Sequence, residues 1–366
     1  MTAPPSTHAP APTRRRRRRR KFIAAAILLP LLAAFVVGEL IVRWRYPVIE
    51  PRAFYVPGIY RSAEPPVGWD LLPNYDGAYH RQTTQLTTRT NELAMRDPPL
   101  TPERKQASRR VLVLGDSVAF GQGVHDDETF SRQLEQRLQD TAVFNGGVPG
   151  YDTQQELARL ERVGPSLEPN VVILEWYRND MLVPPTLSAA EVREGYLLPP
   201  GTTVEDFEHW KSRYIDHTGT PLDWSALVRL VRIQVKNYRA VAKLDERAAE
   251  PWTVDESDEA LQRCLEAIRG MKAWCDAHGA KLVVVLFRAR EEVEAEGPEP
   301  NYPGILQRLC ESESIRYVDL YERWREHWAQ TEETLFLPRD RCHPNALGHA
   351  LAAEWIELEL QDLFAE

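Results

Sequence analysis

Four short stretches carry side chains able to do chemistry: GDSV at 115–118, FNGGVPGYDTQQEL at 144–157, WYRND at 176–180 and DRCHPNALGH at 340–349. A serine hydroxyl such as that of Ser117 is a poor nucleophile at neutral pH and needs a base within hydrogen-bond reach. His343 has the pKa range for taking and returning a proton, and Asp340, three residues earlier on the same loop, can accept its other ring N–H. Nucleophilic attack assisted by proton transfer is the chemistry these residue types allow. Each member also has a plainer reading when taken alone. Ser117 can cap the next helix, and Gly150 after Pro149 can be the second central residue of a turn. Asn179 and Asp180 can cap a helix, and Asp340 and His343 can be local loop structure with Asn345 as the cap of a final helix.

These stretches need elements to hold them. VLVL at 111–114 is too short to show a period, but its length and the glycine after it favour a fully buried strand. Gly115 permits a tight turn, Asp116 can bond nearby backbone, and Ser117 then stands at the carboxyl end of a parallel strand, where open α/β sheets place their ligands. From there strands and helices alternate: strand 110–115, helix 128–140, strand 142–145, helix 153–163, strand 170–175, helix 256–278, strand 281–287, helix 301–313, strand 315–318 and a closing helix 345–363. Such alternation predicts a parallel sheet covered on both faces. Residues 46–108 are rich in Pro, Tyr and Trp and read as an irregular segment of short strands packed on the main domain, with 82–91 alternating well enough for an edge strand. An insertion at 181–255 breaks the rhythm. It starts Pro-rich and carries an amphipathic helix at 224–244, either a lid or wall beside the sheet or an ordinary surface insertion.

With all four stretches in order on loops that follow strands, residues 108–363 resemble the SGNH hydrolases, also called the GDSL esterases and lipases. The resemblance implies a three-layer α/β/α sandwich with a mainly parallel, flavodoxin-like sheet. It also implies Ser117 as nucleophile, Asp340 and His343 as its acid–base partners in a D-x-x-H arrangement, and an oxyanion hole made by the backbone N–H of Ser117, the backbone N–H of Gly150 and the side-chain amide of Asn179. The third block departs from the common G-x-N-D, because Tyr177 and Arg178 precede Asn179. Tyr177 then narrows the space near the oxyanion hole, and Arg178 is a candidate contact for an acidic or sugar substrate, or else a partner for a carboxylate. Val118 stands where the family name has Leu. Cys342 is read as packed, since the family mechanism gives it no role. Neither a cofactor nor a metal is expected.

Composition narrows the classes. The chain of 366 residues is 43% hydrophobic with 10 Trp, enough to bury a core. Its four cysteines, Cys264, Cys275, Cys310 and Cys342, form no CxxC pair and no zinc-like cluster. Cys264 and Cys275, eleven residues apart on one helix, would lie roughly 16 Å apart, too far for a disulfide. The formal charge of −9 is unevenly spread: Arg14 to Arg20 and Lys21 are eight cations in a row. The 45 basic residues less these eight leave 37 against 54 acidic, a net of −17. That acidic body argues against nucleic-acid binding.

Residues 22–38 follow the cations without a charge, then Glu39 and a further apolar run to Val42, about one membrane span. A signal anchor over 22–42 is the preferred reading over a cleaved signal peptide or a nuclear-localisation arm, because the apolar run is long and no A-x-A site ends it. Residues 1–21 are then a disordered, Arg-rich cytoplasmic tail, and 109–366 an extracytoplasmic hydrolase domain at the cytoplasmic (inner) membrane, periplasmic in orientation. The expected activity is hydrolysis of an acyl ester, with an O-acyl group of a carbohydrate or envelope polymer as a candidate. An O-acyltransferase of an extracytoplasmic polysaccharide and an inactive membrane-tethered binding module are the alternatives.

Overall fold

Strand and helix runs of the kind just described organise the computed structural model of the protein. It describes residues 14–46, 59–81, 84–181, 191–199, 201–214, 216, 218–220, 222–247, 253–295, 297, 299–338 and 340–365. Of the tail expected to be disordered over 1–21, residues 1–13 lie outside these residues, whereas Arg14–Lys21 are helical; the Pro-rich start of the insertion lies outside them too, apart from Met181.

In chain order the elements are α1 (Arg14–Arg45), β1 (Tyr60–Ser62), β2 (Trp69–Leu71), β3 (Asp76–Arg81), β4 (Thr84–Arg89), α2 (Pro102–Lys105), β5 (Arg109–Leu114) and α3 (Ser117–Phe120). They continue with α4 (Phe130–Arg137), β6 (Thr141–Asn145), α5 (Thr153–Leu167), β7 (Val171–Trp176), β8 (Glu191–Arg193), β9 (Tyr196–Leu198), α6 (Val204–Tyr214) and α7 (Ala226–Arg247). The last are α8 (Glu259–His278), β10 (Lys281–Leu286), α9 (Arg290–Glu294), α10 (Tyr302–Ser312), β11 (Arg316–Asp319), α11 (Tyr321–Thr331) and α12 (Ala346–Ala365).

The main sheet has the order β11-β10-β7-β5-β6, and every pairing in it is parallel. Side chains on β5 alternate between two apolar clusters: Leu112 and Leu114 join one with α5, α8 and α10, and Val111 and Val113 join the other with α4, α11 and α12. Period-two alternation with both faces covered is what makes the strand apolar throughout. The result is a three-layer α/β/α sandwich. From β5 the chain goes outward to β6, then returns to the other side of β5 as β7, so the order reverses at β5 and a crevice opens at the carboxyl ends there.

Some elements differ from expectation. The edge strand expected at 82–91 is the shorter β4, which pairs with β3 in a separate two-stranded sheet. Helix α4 starts at Phe130 because the Thr129 hydroxyl accepts from Arg132 N and a 3-10 turn fills Asp126–Glu128. Helix α8 starts at Glu259, where Asp258 accepts from Ala260 N and Leu261 N. Helix α11 was not expected, and Trp324 is its one fully buried side chain.

The β1–β2 hairpin packs on the loops after β5 and β6, with Trp69 and Leu71 in one cluster with Phe120, Val148 and Tyr151. Before this hairpin, near the N-terminus, Lys21–Arg45 within α1 is long and apolar enough to cross a membrane by length and composition.

Candidate active site

Ser117 owes its position to the turn that ends β5. Gly115 has φ +148°, and a Cβ there would lie 2.5 Å from Glu175 Oε2 and 2.7 Å from Ala119 Cβ, so only glycine lets the chain turn this tightly. Asp116 then caps α3, its Oδ1 accepting from Val118 N at 2.7 Å. The cap is therefore Asp116 and not Ser117, whose hydroxyl keeps only a long 3.5 Å contact to Asp116 Oδ2 and is left to a closer partner.

That partner is His343. Its Nε2 lies 2.9 Å from Ser117 Oγ, and its Nδ1 lies 3.0 Å from both carboxyl oxygens of Asp340. Asp340 is itself fixed, since its Oδ1 accepts from Cys342 N at 3.0 Å and from His343 N at 3.1 Å. The segment before α12 is held by Leu337 N donating to His343 O and by Asn345 Nδ2 donating to Thr334 O. Asp340 and His343 are buried, while Ser117 is half-exposed. Such a chain can draw the proton off a serine oxygen as it attacks and return it to a leaving group.

Two backbone donors lie on the turns that follow β5 and β6. Among the described residues neither Ser117 N nor Gly150 N donates to a protein acceptor. Gly150 is exposed with φ +86° in the loop after β6. That loop is braced from outside: Trp69 Nε1 donates to Pro149 O at 3.4 Å and Tyr151 OH donates to Trp69 O at 2.5 Å. Asn179, in a 3-10 turn after β7, donates from Nδ2 to Asp116 Oδ2 at 2.6 Å. One amide proton is thus held by Asp116, and a second remains on the same nitrogen. The structure brings Ser117, Asp340, His343 and Asn179 together at the carboxyl ends of β5 and β7, with Gly150 on the loop after β6.

Tyr177 and Arg178 are arranged differently. Tyr177 is buried in one cluster with Val118 and Ala119, where burial pushes its phenol well above the usual range. Arg178 is 5% exposed and pairs with Glu291 and, at 2.8 Å, with Glu292. The carboxylate-partner alternative is the arrangement observed. Arg178 is committed to this ion-pair network.

Several supporting residues gave no signal in the sequence. Arg96 is fully buried and donates to Phe120 O, Gly121 O and Val124 O as well as to Asp126, so it holds the loop that follows α3. Glu156, Glu175 and Asp180 are buried close to Asp116, and desolvation, reinforced by their mutual repulsion, pushes all three carboxyl groups well above the usual range. Asp340, Cys342 and His343 are the group, among the described residues, whose donor atoms come within 4.8 Å of one another. Both nitrogens of His343 are already engaged with Asp340 and Ser117, which fits a hydrogen-bonded relay.

A doubly covered parallel sheet with a Ser–His–Asp chain at its switch point defines a class of serine hydrolase-like α/β proteins. Residues 113–351 match the GDSL-like Lipase/Acylhydrolase family, and the chain belongs to it. A curated relative, an arylesterase of Vibrio mimicus, is 36% identical over 81 residues, covering 21% of this chain and 40% of that one. The chain therefore spans less than half of that relative. A solved two-domain esterase active on acetylated mannans is 14% identical with TM-score 0.40, covering 70% of this chain and 50% of that chain. The psychrotrophic esterase EstA of a Pseudoalteromonas species is 13% identical with TM-score 0.40, covering 71% of this chain and 100% of that chain.

Proposed function

We propose that the chain hydrolyses an acyl ester through an acyl-serine intermediate. The observation that carries this is the continuous hydrogen-bonded path from Ser117 Oγ through His343 to Asp340, at 2.9 and 3.0 Å. Ser117 Oγ attacks the ester carbonyl carbon while its proton passes to His343 Nε2. The carbonyl oxygen, now an oxyanion, meets the N–H groups of Ser117 and Gly150 and the second amide proton of Asn179. His343 returns the proton to the departing alkoxide, and water then releases the acid from Ser117 by the same steps. Asp340 holds the imidazole in the right tautomer and stabilises its charged form.

The apolar length of α1 supports a membrane location for the chain. Arg14 to Lys21 stay cytoplasmic, α1 crosses the inner membrane, and the hydrolase part faces outward. There it meets envelope polymers, so an O-acyl group on a carbohydrate is the proposed natural substrate.

Hydrolysis of a short-chain chromogenic ester by the full chain tests the reading. Ser117→Ala and His343→Ala should each abolish nearly all turnover, and the double variant should be scarcely worse, because the two act as one unit. A serine-directed phosphonate should label Ser117 in the wild type. Full activity in Ser117→Ala, or multiplicative losses in the double variant, would sink the mechanism. Acyl transfer to added oligosaccharides in preference to water would make the enzyme an acyltransferase.

A further inference from the structure

Glu39 is the charge that interrupts the apolar run of α1, and it is 7% exposed. Its carboxyl group is taken up by the start of α7: it accepts from Ser225 Oγ at 2.8 Å, Ala226 N at 2.9 Å and Leu227 N at 3.0 Å. Arg43 closes the arrangement, donating to Glu39 at 2.7 Å and to Trp224 O at 2.7 Å. The next amides are satisfied as well, Val228 N by Ser225 Oγ and Arg229 N by Ser225 O. A helix start with every early N–H paired is what a water-poor setting demands.

The level of this contact along α1 matters. The Phe35 and Trp224 rings meet edge to face at 6.4 Å, and Leu227 packs against Gly38. Phe35 and Gly38 belong to the apolar run itself. At 1.5 Å per residue, a span starting at Phe22 and ending near Val42 is about 31 Å long, and Phe35 sits about 10 Å inside its outer end. Whatever touches Phe35 shares that depth. The free side of this segment is apolar too: Leu222, Trp224 and Val231 are about half exposed, and Val235 and Tyr238 continue the Val231 face at i+4 and i+7. The α7 sequence carries six basic residues against two acidic.

We propose that Leu222–Val231, the turn into α7 and its first turns, is a foot seated beside α1 in the outer interface of the bilayer. Its exposed apolar side chains face acyl chains. The hydrolase part then stands on two contacts with the membrane, which fixes its height and orientation. This assignment rests on α1 being the membrane anchor.

The test uses the full chain in vesicles of phosphatidylethanolamine and phosphatidylglycerol. Spin labels are placed in a Cys342→Ser background by Leu32→Cys in α1, Leu222→Cys and Val231→Cys in the foot, and Glu266→Cys on the exposed side of α8. Labels at 32, 222 and 231 should all favour oxygen over a water-soluble nickel chelate as collision partner, in contrast to the label at 266. A lipid-like label at 32 with water-like labels at 222 and 231 would overturn the foot and leave the anchor standing. A water-like label at 32 would overturn the anchor itself. Labels at 222 and 231 shielded from both reagents would mark a protein contact and also overturn the foot. Trp224→Phe supplies a second readout that needs no cysteine: it should lower quenching of the protein's fluorescence by brominated lipids, and unchanged quenching would count against insertion.

Discussion

Asn179 and Asp116 form a pair in which one side chain sets the orientation of the other. Asp116 Oδ1 is engaged by Val118 N, and Oδ2 takes one proton from Asn179 Nδ2. The second proton of that amide is the one available to an oxyanion. Asn179→Ala removes it and should lower kcat by about 10²- to 10³-fold with little change in KM. Asp116→Asn is the sharper probe. Val118 N keeps the oxygen of the new amide in place, so its NH₂ faces the Asn179 NH₂ and two donors oppose each other. Asn179 must then rotate its oxygen toward Asp116 or leave the site, and either movement removes the donor. Asp116→Asn should therefore lose kcat about as much as Asn179→Ala, and the double variant should lose no more than either. Steady-state kinetics of the four proteins decides it, and additive losses would show that Asp116 acts elsewhere.

At the scale of elements, local chemistry was readable and distant partnership was not. Val111 to Leu114 announced a buried strand because both faces of β5 are covered, and Gly115 announced the turn because no larger residue fits. The D-x-x-H segment was readable because Asp340 and His343 are close in sequence. Which carboxylate Arg178 pairs with was not, because Glu292 lies 114 residues further along the chain. Trp69 bracing Pro149 was equally hidden, at a separation of 80 residues inside a stretch without periodicity. The α11 helix was missed because it fully buries only Trp324, while Trp328 on the same helix is only partly buried against the cluster that holds Trp324. Packing at the nucleophile turn makes a prediction of its own. A Cβ on Gly147 would meet Phe120 N at 2.3 Å and Ala119 C at 2.7 Å, both backbone atoms of α3. Gly147→Ala should cost about 1–3 kcal/mol in stability and displace the loop that carries Gly150. Thermal unfolding and ester turnover should fall together, and an unchanged melting temperature would show that the loop after β6 can move without cost.

The whole molecule carries two opposed pH sensitivities, both from groups kept neutral beneath the site. His349 is fully buried and stacked on Phe130 at 6.0 Å; desolvation, with Arg96 and His343 nearby, lowers it from 6.5 to about 3. Unfolding lets it take up a proton below about pH 6.5, so its share of stability is present above that pH and is lost as pH falls toward about 3. Glu156, Glu175 and Asp180 act in the other direction. Their folded values lie well above the usual carboxylate range, so the unfolded chain binds fewer protons above about pH 4.3. Their share of stability is full below that pH and is lost as pH rises through the folded values. The two windows overlap between about pH 4.3 and 6.5, where three carboxyl groups outweigh one imidazole, so these groups place the stability maximum toward the acid end of that overlap. Glu156 faces Glu175, Asp116 and Asp152, so a neutral isostere there relieves repulsion as well as desolvation. In urea unfolding across pH 4–9, Glu156→Gln should flatten the alkaline slope by up to about 1.4 kcal/mol per pH unit. His349→Gln should flatten the acid slope and leave the alkaline one unchanged. Curves that run parallel to the wild type would show that these groups titrate as they do in the unfolded chain, and that the carboxyl groups under Ser117 are charged at neutral pH.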